Sequence, residues 1–404
     1  MKDGTRTKRL KLSREYTLPD RERLELLHTV PALGPKILFF SGGSALKDLS
    51  VKLISYTYNS IHLITPFDSG GSSAILRQAF HMPAIGDIRN RLMALADQSI
   101  RGNPEIYRLF AHRLPLDAKR EELARELTAM AAGRHPLVSA ISSPMRKIIS
   151  HHLKLFCELM PSDFTLAGAS IGNLILTAGY LENRRHLDPV IYIYSKLAEV
   201  RGIVRPVVSS DSQLAVELEN GQEIVGQHLI TGKTGSLLSS RIKKLYLKPS
   251  QPDAVNPTKK TILRNKTRKL ISSASLICYP MGSFYTSLLA TLLPSGVGSA
   301  IAGSKSPKIY IPNTGIDPES CDLSLSEQVE TLLDYLKRED SSILDHEVLD
   351  FILLDRQNGS YRGELDSAAL KKRGIQILDC ELIKPASAPL LDAQLLANIL
   401  LSLG

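Results

Sequence analysis

Short apolar runs that end abruptly in glycine and serine constrain this chain more than any other feature. Residues 36–40 read KILFF and give way at once to SGGS at 41–44. Residues 61–65 read IHLIT and end in PFDSGGSS at 66–73. Such runs, stopped by a glycine turn, are the pattern of buried strands, because a strand covered on both faces has no polar side to show. Helix-like stretches follow at 45–55 and 85–97. A strand–loop–helix unit used twice predicts a parallel sheet, in which ligand loops gather at the carboxyl ends of the strands.

The rest of the chain extends this pattern and interrupts it twice. Helical periodicity at 104–110, 117–131 and 138–159 predicts a helical insertion over 99–160. Helices follow at 174–182, after a GASIGN turn, and at 189–200. The period changes to two at 204–208, 213–218 and 223–230, with the hairpin pair Asn220-Gly221 before the last of these. With a further strand at 241–247, this predicts a small antiparallel meander over 203–248. The parallel rhythm then returns, with strands at 275–279, 308–311, 348–354 and 375–379 and helices at 284–292, 325–337 and 392–403. The expected fold class is α/β: a Rossmann-like, mainly parallel sheet over 36–404, preceded by a basic extension at 1–35 with a short helix at 21–28.

At 404 residues the chain can bury a core without disulfides or a structural metal. Its four cysteines form no CxxC pair, against a zinc ribbon or a disulfide framework. The formal net charge is +9, and the excess is concentrated. Residues 1–23 carry eight Lys/Arg and four acids, and residues 241–269 carry ten Lys/Arg and only Asp253. No nucleic-acid-binding motif accompanies this charge, so a solvated basic surface is expected. Residues 270–304 are uncharged, but Pro280, Gly282, Pro294, Gly296 and Gly298 break them into pieces unlike a membrane span. The N-terminus has no apolar leader segment. A cytoplasmic protein without membrane or nucleic-acid partners is expected.

Four loops carry the candidate chemistry. The first offers Gly42, Gly43 and Ser44 ahead of a helix, where backbone N–H groups and the helix dipole favour a phosphate. The second offers Asp68, Gly70, Gly71, Ser72 and Ser73, followed by Asp87, Arg89 and Asn90 at the next helix start. Two carboxylates, hydroxyls and an arginine near strand ends suit a magnesium-assisted phosphoester site, with Asp68 the candidate metal ligand. The third offers Gly172 and Asn173 at what reads as another strand-to-helix junction. The fourth offers Gly282, Ser283, Tyr285, Thr286 and Ser287. Two other features are set aside. GQHLITGKT at 226–234 has one residue too many for a P-loop and follows a hairpin strand, and His151-His152 lacks a matched metal partner.

Taken in order, these stretches resemble the CofD/YvcK family. Its YvcK-like motifs run roughly GGGTGL, ADDGGSSGRLR, PPGDIRNCLVALAD, GxxxGNLLLAA and GPGSLYTSLLPNLL. Here the matching stretches are SGGSAL, FDSGGSSAILR, PAIGDIRNRLMALAD, GASIGNLILT and YPMGSFYTSLLATLL. The resemblance implies a Rossmann-like core with a nucleoside-diphosphate pocket across these loops and self-association as a homodimer. CofD-like enzymes transfer a phospholactyl group from a GDP-activated donor to a flavin-type acceptor, with magnesium. YvcK-like proteins bind UDP-sugars and are linked to carbon metabolism and cell-wall regulation. Two readings follow: a magnesium-dependent transferase of a phosphate-linked group using Asp68, Asp87 and Arg89, or a non-catalytic UDP-sugar-binding regulator. Neither needs a tightly bound organic cofactor. This chain departs from the pattern at Ser69, where the family has a second Asp, at Ser44-Ala45 for Thr-Gly, and at Ala169, where many relatives have His.

Overall fold

The computed structural model describes residues 15–99, 102–232, 238–250 and 261–404. The apolar runs form a seven-stranded sheet in which every pair is parallel. Its strands are β1 (Ile37–Ser41), β2 (Ile61–Ile64), β3 (Ile203–Pro206), β7 (Leu276–Tyr279), β8 (Lys308–Tyr310), β9 (Phe351–Leu354) and β10 (Gln376–Asp379). A second sheet is antiparallel, with β4 (Ser212–Leu218) between β5 (Glu223–Val225) and β6 (Ile242–Pro249). The large sheet runs β10-β9-β8-β7-β1-β2-β3. The chain therefore winds outward from β1 to β3, returns to β7 beside β1, and winds outward the other way. The reversal lies between β1 and β7, where open α/β sheets hold their ligands.

The helices divide into layers. The helices Pro104–Ala111, Arg120–Ala131 and Ser143–Leu159 form an apolar cluster with Ile171–Glu182 and Leu187–Leu197. The insertion expected at 99–160 is thus helical, although residues 100 and 101 lie outside the described residues. A second cluster joins the large sheet to the antiparallel one. A third covers β1 with the first and last helices.

Several expectations are corrected. The run at 204–208, read as the first meander strand, falls largely in β3, which pairs parallel with β2 as an edge of the large sheet. The meander therefore begins at β4, and residues 227–230 form a helical turn instead of a strand. Residues 71–80, read as loop, form the Gly71–Phe80 helix that starts directly after Gly70. Residues 284–289 wind as a π-helix, with Ser287 and Leu288 both donating to the Ser283 carbonyl at 3.1 Å. The described part of the 1–35 extension is not separate from the core. Its Arg21–Thr29 helix buries Leu24 and Leu27 against the closing Ala393–Leu403 helix. The basic residues described at 241–248 are largely paired, Arg241 with Asp322 and Glu327, Lys243 with Glu217, and Lys248 with Glu223. The remaining basic positions at 1–14 and 251–260, and the end of the GQHLITGKT stretch, lie outside the described residues. No helix among the described residues is long and apolar enough to cross a membrane.

Candidate functional site

The first loop is shaped by close approach. A Cβ on Gly42 would stand 2.8 Å from the Ser287 hydroxyl and 3.1 Å from that of Thr65, so a side chain has no room there. Gly43 has φ +35° and leaves its N–H free to donate to Asp87 Oδ2 at 2.9 Å. The Thr65 hydroxyl lies 3.5 Å from the same oxygen. Asp87 is thus more than a helix-start carboxylate, because it ties the loops after β1 and β2 together. Arg91, one turn on and fully buried, donates to the Leu46 carbonyl and the Ser50 hydroxyl, bracing the first loop from behind.

The second loop is held by its own helix. Asp68 Oδ1 accepts from the Gly70 N–H at 3.0 Å, while Oδ2 comes up against Gly86. Arg77 reaches back to the carbonyls of Phe67 and Asp68 and across to Asp211 and Ser212, pinning the loop to β4. Ser69 turns the same way. Its hydroxyl lies 2.8 Å from His228 Nδ1 and accepts from the His228 N–H at 3.2 Å.

The loop after β7 is held by carboxylates from the loop after β8. Asn313 clamps Gly282, accepting from its N–H at 2.9 Å and donating to its carbonyl at 2.6 Å. Asp317 accepts from the Phe284 N–H at 2.8 Å. Glu319 accepts from the N–H groups of Tyr285 and Thr286 and from the Thr286 hydroxyl. Burial pushes the Glu319 carboxyl up to about 7, with the charge of Asp317 adding to it. Burial raises Asp317 as well. Tyr285 and Thr286 are therefore corrected as ligand donors. Both are buried, Thr286 is committed to Glu319, and the Tyr285 hydroxyl points to the Ile242 carbonyl at 3.4 Å.

These loops enclose a cavity of about 240 Å³ at the reversal between β1 and β7. Of the residues singled out in the sequence, Gly42, Gly43, Ser44, Asp68, Asp87, Gly282, Ser283 and Ser287 line it. The others stand apart. Arg89 and Asn90 line an adjoining cavity. Asn173 donates to the Ser72 hydroxyl at 3.2 Å, beside the insertion. Gly172 packs against Phe110 and Arg89 and, with Asn173, lies inside a helix that no strand of either sheet immediately precedes. Gly70, Gly71 and Ser73 shape the second loop, and the Ser73 hydroxyl lies against Gly86.

Sequence reasoning missed two polar residues that line the cavity, Ser41 and Gln227. Gln227 arrives from the antiparallel sheet, and no local pattern announces it. Gln227 Oε1 and the Ser41 hydroxyl are buried and have no partner among the described residues. Buried polar atoms are normally satisfied, so two orphans on one cavity leave it with unmet hydrogen-bonding capacity. A larger cavity of about 410 Å³ lies between Asp188 and Arg205, at the amino end of β3, away from the glycine loops.

The two carboxylates give the central cavity negative charge, and no cationic side chain among the described residues lines it. An anion there would rely on backbone N–H groups, helix starts and a cation carried with it. No group of three or more His, Cys, Asp or Glu suited to a metal occurs among the described residues. Asp68 and Asp87 do fit a magnesium ion that takes its remaining ligands from water and substrate phosphates, as that ion commonly does.

A doubly wound parallel sheet with a polar cavity at its reversal defines a Rossmann-like α/β protein. The sequence model of the family described as 2-phospho-L-lactate transferase CofD matches residues 37–383, and the chain belongs to that family. Similar proteins carry the gluconeogenesis-factor name. The one from Nostoc sp. is 29% identical over 331 residues, covering 81% of this chain and 56% of that protein. The one from Thermoanaerobacterium thermosulfurigenes is 27% identical over 377 residues, covering 92% and 97%. The one from Bacillus subtilis is 29% identical over 284 residues, covering 70% and 69%. The fold matches the crystal structure of a UPF0052 family member from Bacillus halodurans, with a TM-score of 0.65, 24% identity and coverage of 91% of this chain and 99% of that one.

Proposed function

We propose that the central cavity binds a nucleoside-diphosphate-linked ligand, such as a nucleotide-sugar, and that the protein senses this ligand without converting it. The diphosphate would lie over Gly42, Gly43 and Ser44 on one side and Gly282 and Ser283 on the other. The observation that carries this reading is the orientation of Arg89 and Ser69. Arg89 is turned into the adjoining cavity, and Ser69, in place of a second Asp, is turned to His228. The cavity is thereby left with donors that grip a ligand and without a side-chain cation to receive a leaving group. The gluconeogenesis-factor name of the relatives supports a regulatory role.

A transferase is the second reading, favoured by the two carboxylates, Asp68 and Asp87, on one cavity. They would hold magnesium together with the ligand's phosphate oxygens, and the ion would supply charge neutralisation as the acceptor hydroxyl displaces the nucleoside monophosphate. The residues themselves would orient the diphosphate.

One experiment separates the two. The full chain is incubated with GDP, UDP, UDP-sugars and a flavin acceptor, with and without magnesium. Thermal shift reads binding, and mass spectrometry reads the recovered ligand. A ligand at about 100 times its dissociation constant adds about 2.7 kcal/mol, which such a melt resolves. The sensor reading expects a shift with intact ligand returned, weakened in Asp87→Asn, which loses the brace on Gly43. Stoichiometric conversion, lost in Asp68→Asn, would replace it with the transferase. No shift with any nucleotide would overturn both.

A further inference from the structure

The cavity that takes Arg89 adjoins the central one across Gly43 and Ser44, which line both. It holds about 300 Å³, between the first loop, the Gly86–Ala94 helix and the Pro104–Ala111 helix of the insertion. Its charge is opposite to that of its neighbour. Lys47, Arg89, Arg91 and Arg113 line it, and no carboxylate among the described residues does.

Among the described residues, these cations form no ion pair. Arg89 is 6% exposed, yet its guanidinium donates only to neutral oxygens: the Phe110 carbonyl at 3.2 Å, the Ser170 hydroxyl at 2.6 Å and Asn90 Oδ1. Its Nε has no partner among the described residues. Arg113 donates to the Gly168 carbonyl at 3.3 Å. Lys47 and Arg113 are exposed at the mouth. The pull of Asp87 reaches both Arg89 and Arg91, but Asp87 lines the other cavity, where Gly43 donates to it. Burial, reinforced by the neighbouring Arg113, brings Arg89 down to about 10. Arginine used only for packing is usually matched with acid, because a buried, uncompensated charge is costly. Four cations sharing one pocket without an acid are the arrangement that an incoming anion relieves.

We propose that this second cavity is a subsite for an anionic group, a carboxylate or phosphate, that the ligand carries beyond its diphosphate. The proposal rests on the nucleoside-diphosphate reading above, because the two cavities meet at the turn expected to hold the diphosphate. It narrows the ligand to one with an acidic terminal group, reached past Ser44.

Titration calorimetry on the full chain tests it with UDP, UDP-glucose, UDP-glucuronic acid, the matching guanosine set of GDP, GDP-mannose and GDP-mannuronic acid, and inorganic phosphate alone. Wild type is compared with Arg113→Gln and Lys47→Gln, both exposed positions that should not disturb folding, and with the remote control Lys305→Gln. The expected result is at least tenfold tighter binding of the acidic sugar than of its neutral counterpart. That preference should fall below threefold in Arg113→Gln and Lys47→Gln, with nucleoside-diphosphate affinity unchanged and Lys305→Gln behaving as wild type. Equal wild-type affinities for the acidic and neutral sugars, or a preference that survives both variants, would overturn the subsite and leave the diphosphate reading standing. If neither UDP nor GDP binds, the diphosphate reading fails. Phosphate binding lost in Arg113→Gln and Lys47→Gln but not in Lys305→Gln would then still support the anion site, and its absence would sink that too.

Discussion

Glu319 occupies a place where a phosphate would have been expected. Three donors at the start of the segment beginning at Phe284 converge on its carboxylate. The sequence pattern GSFYTS was read as a phosphate cradle, and half of it is: Gly282 and Ser283 face the cavity, while Tyr285 and Thr286 face Glu319. No local feature distinguishes these halves, because the acid comes from a loop 33 residues further on. The same holds for Arg89 and Ser69, whose directions are set by Ser170 and His228. Residue types at the site were legible, but side-chain directions were not. The Glu319 environment makes a prediction. Its folded carboxyl sits near 7 against an ordinary 4.5, so between those values the folded chain holds a proton that the unfolded chain has released. Stability is therefore fully present below the unfolded value and declines as pH rises through the folded one, by on the order of 2 kcal/mol. Asp317, also raised, acts in the same direction. Melting temperature should fall from about pH 5 to about pH 7 in wild type, and Glu319→Gln, which cannot ionise, should flatten that slope. A slope as steep in the variant would place the titration elsewhere.

Elements were easier to read than side chains, for a physical reason. A parallel strand is buried on both faces and announces itself as a continuous apolar run. Six of the seven strands of the large sheet were found this way, whereas β3 was read by its period of two and assigned to the wrong sheet. Its residues 203–206 alternate in burial because β3 is an edge strand, so an edge of a parallel sheet imitates an antiparallel strand. The Gly71–Phe80 helix was hidden by its own start, since two glycines and two serines read as loop. Helix packing also explains Gly172, read from sequence as a ligand contact. A Cβ there would stand 2.9 Å from both the Phe110 carbonyl and Arg89 Cδ, so this glycine lets the Ile171–Glu182 helix approach the Pro104–Ala111 helix. Gly172→Ala should therefore destabilise the protein by about 1–3 kcal/mol through overpacking. Nucleotide affinity of the folded fraction should hold within a few-fold. Urea unfolding and a nucleotide titration check this together, and a wild-type midpoint with lost binding would restore Gly172 to the site.

At the scale of the whole molecule, the first and last of the described helices close over β1. The Arg21–Thr29 helix lies on the Ala393–Leu403 helix, the Asp20 N–H donates to the Ser402 hydroxyl at 2.9 Å, and Arg23 reaches the Gly404 carbonyl. Leu24 and Leu27 share one cluster with Leu396 and Leu400 and with Ile37 and Phe39 of β1. A charged opening stretch reads as an appendage, and the short helix within it has too few apolar residues to announce a core contact. Its partner lies more than 360 residues away, at a separation no local pattern spans. Yet β1 carries the loop at the heart of the site, so the layer over β1 supports the site from below. Leu27→Ala should cost about 2–5 kcal/mol, the range for a buried leucine whose cavity cannot collapse fully. Because that cluster reaches the central strand, the loss should be global. The urea midpoint should fall by the same amount whether followed by far-UV circular dichroism or by release of a bound nucleotide, with the slope unchanged. If nucleotide binding instead persists to the wild-type midpoint while circular dichroism shows an early, partial loss, the terminal helix unfolds alone, and β1 holds its loop without it.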